Sequence, residues 1–141
     1  MNSDQSVSRI KTREAAMAFI YQAKFREESY LDQLRIFRED PNYDGIVDND
    51  YDYFHKITTG VLDNEASLDE EFKPFLKNWR LERLPALDRI ILEIAVYEIK
   101  YIDEIHTSIS INEAVKLAKK YGNDKSSSFV NGVLSSFEKS L

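Results

Sequence analysis

Cysteine is absent from the 141 residues, which excludes disulfides, thiolate nucleophiles and every cysteine-ligated zinc or iron-sulfur site. That fits a reducing compartment, and a cytoplasmic location is the expectation. Glycine occurs four times and proline three, too seldom for a loop-rich or low-complexity chain. The longest stretch without Asp, Glu, Lys or Arg is residues 126–137, too short and too rich in serine to cross a bilayer, so no membrane association is expected. The opening MNSDQSVSRI has neither the basic start nor the apolar core of a secretory signal. Positive charge is also short: 19 basic against 25 acidic residues give a net charge of -6, which argues against a surface that coats nucleic acid generally.

What is present is 43% hydrophobic and 31% charged residues, the balance of a folded, helical domain. The whole of 1–141 reads as one domain, with residues 1–8 as a flexible N-terminal arm. Charge is segregated along it. Residues 1–26 hold five basic and two acidic side chains, residues 27–72 three and fourteen, and residues 73–141 eleven and nine. Any nucleic-acid contact should therefore be local, at the basic start, and moderate in its salt dependence.

Helical spacing of apolar residues recurs throughout. Ile10, Ala16, Met17, Ile20 and Ala23 predict a helix over residues 8–25; Tyr30, Leu31, Leu34 and Phe37 predict a second. EDPNYDGIVDNDYD, residues 39–52, reads as a connecting loop. Phe54, Ile57 and Val61 begin a third helix, with a break near Asn64 and Ser67 before Leu68 and Phe72. After Leu84–Pro85, the stripe Leu87, Ile90, Ile91, Ile94 and Tyr97 marks the central buried helix, with Asp88, Arg89, Glu93, Glu98 and Lys100 facing outward. HTSISI, residues 106–111, reads as an extended approach to a capping box of Ser110 and Glu113. That helix stops at Gly122–Asn123, and a last one buries Phe129, Val130, Val133, Leu134 and Phe137. The expectation is an all-α fold of six or seven helices.

Catalysis has little to stand on. His55 and His106 sit in no metal-ligand spacing, and there is no phosphate-binding loop, dinucleotide fingerprint or nucleophile elbow, so neither an enzyme nor a bound cofactor or metal is expected. His55 is either a ligand-facing donor beside Tyr53 and Phe54 or a helix-surface histidine; His106 reads as a loop-surface residue. The carboxylates Asp44, Asp48, Asp50, Asp52, Asp69, Glu70 and Glu71 do not match a calcium-binding loop and read as a solvated face. At the basic start, Arg9, Lys11 and Arg13 can neutralise phosphates while Ser8 and Thr12 donate hydrogen bonds to them.

Five segments then fall in the order of one family: SRIKTREAAMAFIY (8–21), YFHKITTGV (53–61), WRLERLPALDRIILEIAVYEI (79–99), INEAVKLAKKYG (111–122) and SSFVNGVLSSF (127–137). Over nearly its whole length the chain resembles the NusB family of bacterial transcription antitermination factors. The resemblance implies two small helical bundles packed together. It implies binding of boxA RNA jointly with a small-subunit ribosomal protein, within an RNA polymerase antitermination complex that serves ribosomal RNA operons. The family's arginine-rich motif falls on Ser8 through Arg13, with Ile10 at a place often basic in relatives. Lys125–Asn131 resembles the turn where family members meet RNA and the ribosomal protein, which makes Lys125, Ser126 and Phe129 candidate contacts beside the stacking candidates Tyr53 and Phe54. Tyr21 reads either as a third stacking platform or, by its spacing, as a core residue; Trp79 reads as an interior residue, and Gly132 as a point where another helix passes close. Two other readings remain: the RNA-targeting domain that precedes a methyltransferase in some RNA cytosine methyltransferases, and a protein-binding helical module with a decayed RNA arm. Some family members form homodimers, which the sequence does not decide.

Overall fold

Alternating runs of apolar and charged residues resolve, in a computed structural model, into eight α-helices among the described residues. The structure describes the backbone of residues 3–141 and the side chains of residues 9–141. No strand occurs among them, and no helix is long and apolar enough to cross a membrane. The chain divides into two compact helical units, residues 1–62 and 63–141, and the all-α expectation holds.

The first unit contains α1 (Ser3–Ala23), α2 (Tyr30–Arg38), α3 (Ile46–Asn49) and all but the last residue of α4 (Tyr51–Asp63). Ala15, Ala16, Phe19 and Ile20 are fully buried, a spacing that lays one face of α1 inward. Phe19 is the hub: Tyr30, Phe37 and Phe54 meet it edge-on at centroid distances of 5.3, 5.4 and 5.6 Å, the arrangement that the charge distribution of aromatic rings favours. The Ser29 hydroxyl caps α2 by accepting the Asp32 N–H at 3.2 Å, which satisfies one donor left over at the helix start. The acidic connection is not an open loop. Pro41–Tyr43 forms a 3-10 turn and α3 follows it, entered through Gly45 at φ 75°, a conformation only glycine adopts without strain.

The second unit contains α5 (Glu65–Phe72), α6 (Ala86–Tyr101), α7 (Thr107–Tyr121) and α8 (Ser126–Lys139), with 3-10 turns at Lys73–Phe75 and Leu81–Arg83. Helix α6 packs against α5, α7 and α8. As the sequence predicts, it is the central element, and Ile90, Ile91, Leu92, Ile94, Ala95 and Val96 are all buried. Its charges depart from expectation. Asp88, Glu93 and Glu98 are buried, because a helix enclosed by three others has no fully outward face. Each of these acids is matched locally. Asp88 accepts from Ser126 Oγ at 3.0 Å and Glu98 from Ser110 Oγ at 2.7 Å, while Arg89 lies 3.7 Å from Glu93.

Ser110 is therefore an interior partner rather than a cap. Helix α7 is capped four residues earlier, where His106 Nδ1 accepts the Ser108 N–H at 3.2 Å. His106 is exposed, as expected, but it works as the cap. At the other end of α7 a Cβ on Gly122 would lie 2.4 Å from Ser126 Oγ, so glycine is needed there for close approach.

Candidate nucleic-acid interface

Helix α1 sets Arg9 and Arg13 one turn apart, so both point to the same side. There they meet Tyr53 in α4: the Arg9 guanidinium lies 4.0 Å from the ring centroid and that of Arg13 5.5 Å, within cation–π range. Arg13 and Tyr53 are buried, and Thr12 and Phe54 completely so. Phe54 belongs to the aromatic core around Phe19. The structure thus places Thr12, Arg13, Tyr53 and Phe54 inside the first unit, with at most 6% of any of them open to solvent. Lys11 points the other way and is exposed. The Ser8 side chain lies outside the described residues.

Arg9 is half-buried and paired. Its Nε donates to Asp50 Oδ2 at 2.7 Å and its Nη2 to Asp50 Oδ1 at 3.3 Å, a two-point contact suited to a carboxylate or a phosphate. The sequence reading placed Asp50 on a solvated acidic face; its pairing with Arg9, 41 positions away, is invisible there because nothing in the acidic run singles out one carboxylate. Beside it, Arg38 pairs with Asp48 at 3.2 Å and lies 5.0 Å from the Tyr51 ring. Tyr51 stacks on His55, and Tyr30 meets the same imidazole edge-on at 5.6 Å. His55 is exposed and forms one rung of an aromatic ladder. Burial raises the Tyr30 hydroxyl pKa above its usual value, and the hydrogen bond with Thr58 at 2.7 Å offsets part of that. Tyr21 is no core residue: it is 42% exposed and meets the exposed Phe25 edge-on at 5.2 Å.

In the second unit the candidates surround a concave surface. A cavity of about 370 Å³ is lined by Trp79, Pro85, Asp88, Lys125 and Phe129 among others, and a second cleft of about 240 Å³ shares Trp79 and Phe129. Trp79, expected inside, is 54% exposed and meets the half-buried Phe129 edge-on at 6.1 Å. Lys125 is exposed at the start of α8. Ser126 is buried: its Oγ donates to Asp88 and accepts the Asn123 N–H at 3.0 Å, so it braces the turn. Burial drives the Asp88 carboxyl pKa upward, with the Ser126 hydroxyl partly opposing. Gly132 lies beside Phe129 along the cleft wall, and a Cβ there would meet nothing within 4 Å; no helix passes close.

One carboxylate group among the described residues, Glu65, Asp69 and Glu93, has the spacing of a metal site. Arg89 already supplies its positive charge, at 2.7 Å from Asp69, 3.7 Å from Glu93 and 4.0 Å from Glu65. The arrangement is accounted for as a structural ion-pair network.

Comparison with known proteins decides the lineage. The NusB family model matches residues 10–139. The chain belongs to the NusB family. It is 39% identical over 139 residues to the transcription antitermination protein NusB of Clostridium botulinum strain Kyoto, covering 91% of this chain and 97% of that one. It is 37% identical over 128 residues to the NusB of Listeria monocytogenes strain HCC23, covering 91% and 94%. Among solved structures it resembles T. maritima NusB at TM-score 0.77 and 31% identity, covering 93% and 90%. It also resembles a chain of the complex of antitermination factors NusB and NusE with dsRNA, at TM-score 0.80 and 25% identity, covering 95% and 98%. The NusB family match begins at Ile10, so Arg9 stands just outside it.

Proposed function

We propose that this chain is a non-enzymatic RNA-binding factor of transcription antitermination, working in the cytoplasm as one RNA-binding domain. It binds boxA RNA together with a small-subunit ribosomal protein and carries both into an RNA polymerase antitermination complex on ribosomal RNA operons. The observation that carries this reading is the match to the NusB family over residues 10–139; the complex of a similar chain with NusE and dsRNA supports the partner classes.

The geometry divides the labour among the residues. Lys11 and Lys125, both exposed, supply phosphate contacts whose strength falls with salt. Phe129 and Trp79 offer π faces for unstacked bases. Arg13, Thr12, Tyr53, Phe54 and Ser126 act from the interior, fixing the helices that carry the contacts. The test is fluorescence anisotropy of a single-stranded boxA RNA and a scrambled RNA, with the chain alone and with its cognate ribosomal protein, at two salt concentrations. Selective, salt-sensitive boxA binding by the pair is expected. Binding of the protein partner without selection of boxA in either state overturns the reading in favour of a protein-only module.

A further inference from the structure

At the basic start, the Arg9 guanidinium is both partly open to solvent and already held by a carboxylate. Its side chain is 35% exposed and that of Asp50 18%. Tyr53 lies against one face of the guanidinium, so the ring fixes the plane while Asp50 takes the Nε–Nη2 edge, through both of its oxygens. That edge offers the paired donors with which arginine grips a phosphate. We propose that Asp50 is a built-in competitor that occupies Arg9 in the free protein and is displaced by an RNA phosphate.

The proposal rests on the RNA-binding reading above and adds a residue that lowers affinity. Two physical points support it. An ion pair is electrically neutral at a distance, so while Asp50 holds Arg9 the basic start attracts RNA with one charge fewer. Water reaches the pair mainly from the Arg9 side, which is 35% exposed against 18% for Asp50; a phosphate bringing the same two-oxygen geometry can approach there and replace the carboxylate while the Tyr53 ring holds the guanidinium. Asp50 sits just before α4, and its carbonyl accepts the Phe54 N–H at 3.0 Å. That contact belongs to the backbone and survives exchange of the side chain.

Asp50→Asn removes the charge and keeps the side chain's size. Binding of single-stranded boxA RNA, with the ribosomal protein present, should strengthen about three- to tenfold, and the slope of log affinity against log salt should steepen by about 0.7, one phosphate contact. Asp52→Asn is the control: Asp52 is exposed in the first turn of α4, and its substitution changes net charge equally. It should shift affinity by less than about twofold. In an Arg9→Ala background, Asp50→Asn should have no effect. Unchanged or weaker binding by Asp50→Asn, an equal gain from Asp52→Asn, or a gain that persists without Arg9 overturns the proposal. Should Asp50→Asn fold poorly, the Arg9 Nε–H resonance of the unaltered protein gives a second readout. It should shift on adding RNA, and a resonance that stays in place at saturation overturns the exchange. If no form of the protein binds boxA RNA, the functional reading fails and the competitor role falls with it; normal RNA binding with an inert Asp50 removes the competitor role alone.

Discussion

One set of charged side chains in residues 1–62 and another in residues 63–141 work in opposite ways. In the first unit, the pairs Arg9–Asp50 and Arg38–Asp48 stand partly in solvent. In the second, Asp69, Asp88, Glu93 and Glu98 are buried and matched by Arg89, Ser110 and Ser126. An open pair adds little stability and is cheaply exchanged for a ligand. A buried charge must keep its partner, because an uncompensated one is strongly destabilising. The first arrangement suits a surface that trades contacts, and the second a scaffold that holds its shape.

The largest test of this contrast is removal of the half-buried cation that serves the buried acids. Arg89→Ala leaves Asp69 and Glu93 without it and should cost about 3 kcal/mol in urea unfolding, whereas Arg38→Ala should cost less than about 1 kcal/mol. Equal losses would dissolve the distinction between the two units.

Next comes Trp79→Ala. An indole that is 54% exposed contributes little to folding, so the melting midpoint should stay near that of the parent. BoxA affinity should fall by about 1–2 kcal/mol if the ring stacks on a base, read by anisotropy on the same RNA. A large drop in melting temperature would return Trp79 to the interior role that the sequence implies.

That residue illustrates what the sequence could and could not convey. Periodicity located α6, because a stripe of Ile90, Ile91 and Ile94 buries the same face wherever the helix lands. It could not tell that Asp88, Glu93 and Glu98 are buried too, since their cover comes from α5, α7 and α8, which periodicity within one helix does not register. The Ser110 cap failed for a related reason: a serine followed three residues later by glutamate fits a capping box, but Ser110 finds Glu98 across the helix pair. The five matching segments named the family correctly. In the candidate site, Lys11 and Lys125 are as open as their charge implies. Thr12, Arg13, Tyr53, Phe54 and Ser126 are interior because the helix faces carrying them pack inward, and Asp50 emerges only in three dimensions.

Asp88→Asn probes the buried charge by pH. Burial raises the Asp88 carboxyl pKa above 3.8, and the Ser126 hydroxyl offsets only part of this. The unfolded chain therefore loses that proton at lower pH than the folded one, and the folded state binds more protons across the interval. Stability from this group is full below 3.8 and is lost as pH rises through the elevated native value. Asparagine keeps an oxygen for Ser126 and carries no charge. The variant should melt above the parent at neutral pH and converge with it in acid; the opposite trend would show that Asp88 gains more from its surroundings as a carboxylate than burial costs it.

The smallest effect expected is at Gly132, and it separates packing from ligand access. Glycine inside a helix is less stable than alanine by about 0.5–1 kcal/mol, through the freedom it loses on folding. A Cβ at 132 meets nothing within 4 Å, so Gly132→Ala has no steric cost against that gain and should raise the melting temperature by a few degrees. The added methyl projects beside Phe129, where Gly132 lines the smaller cleft. Unchanged RNA affinity with the higher melting point would mean that the cleft wall at 132 is free of ligand; weaker binding in a more stable protein would place RNA or its protein partner against that wall, and would explain a glycine that folding alone does not require.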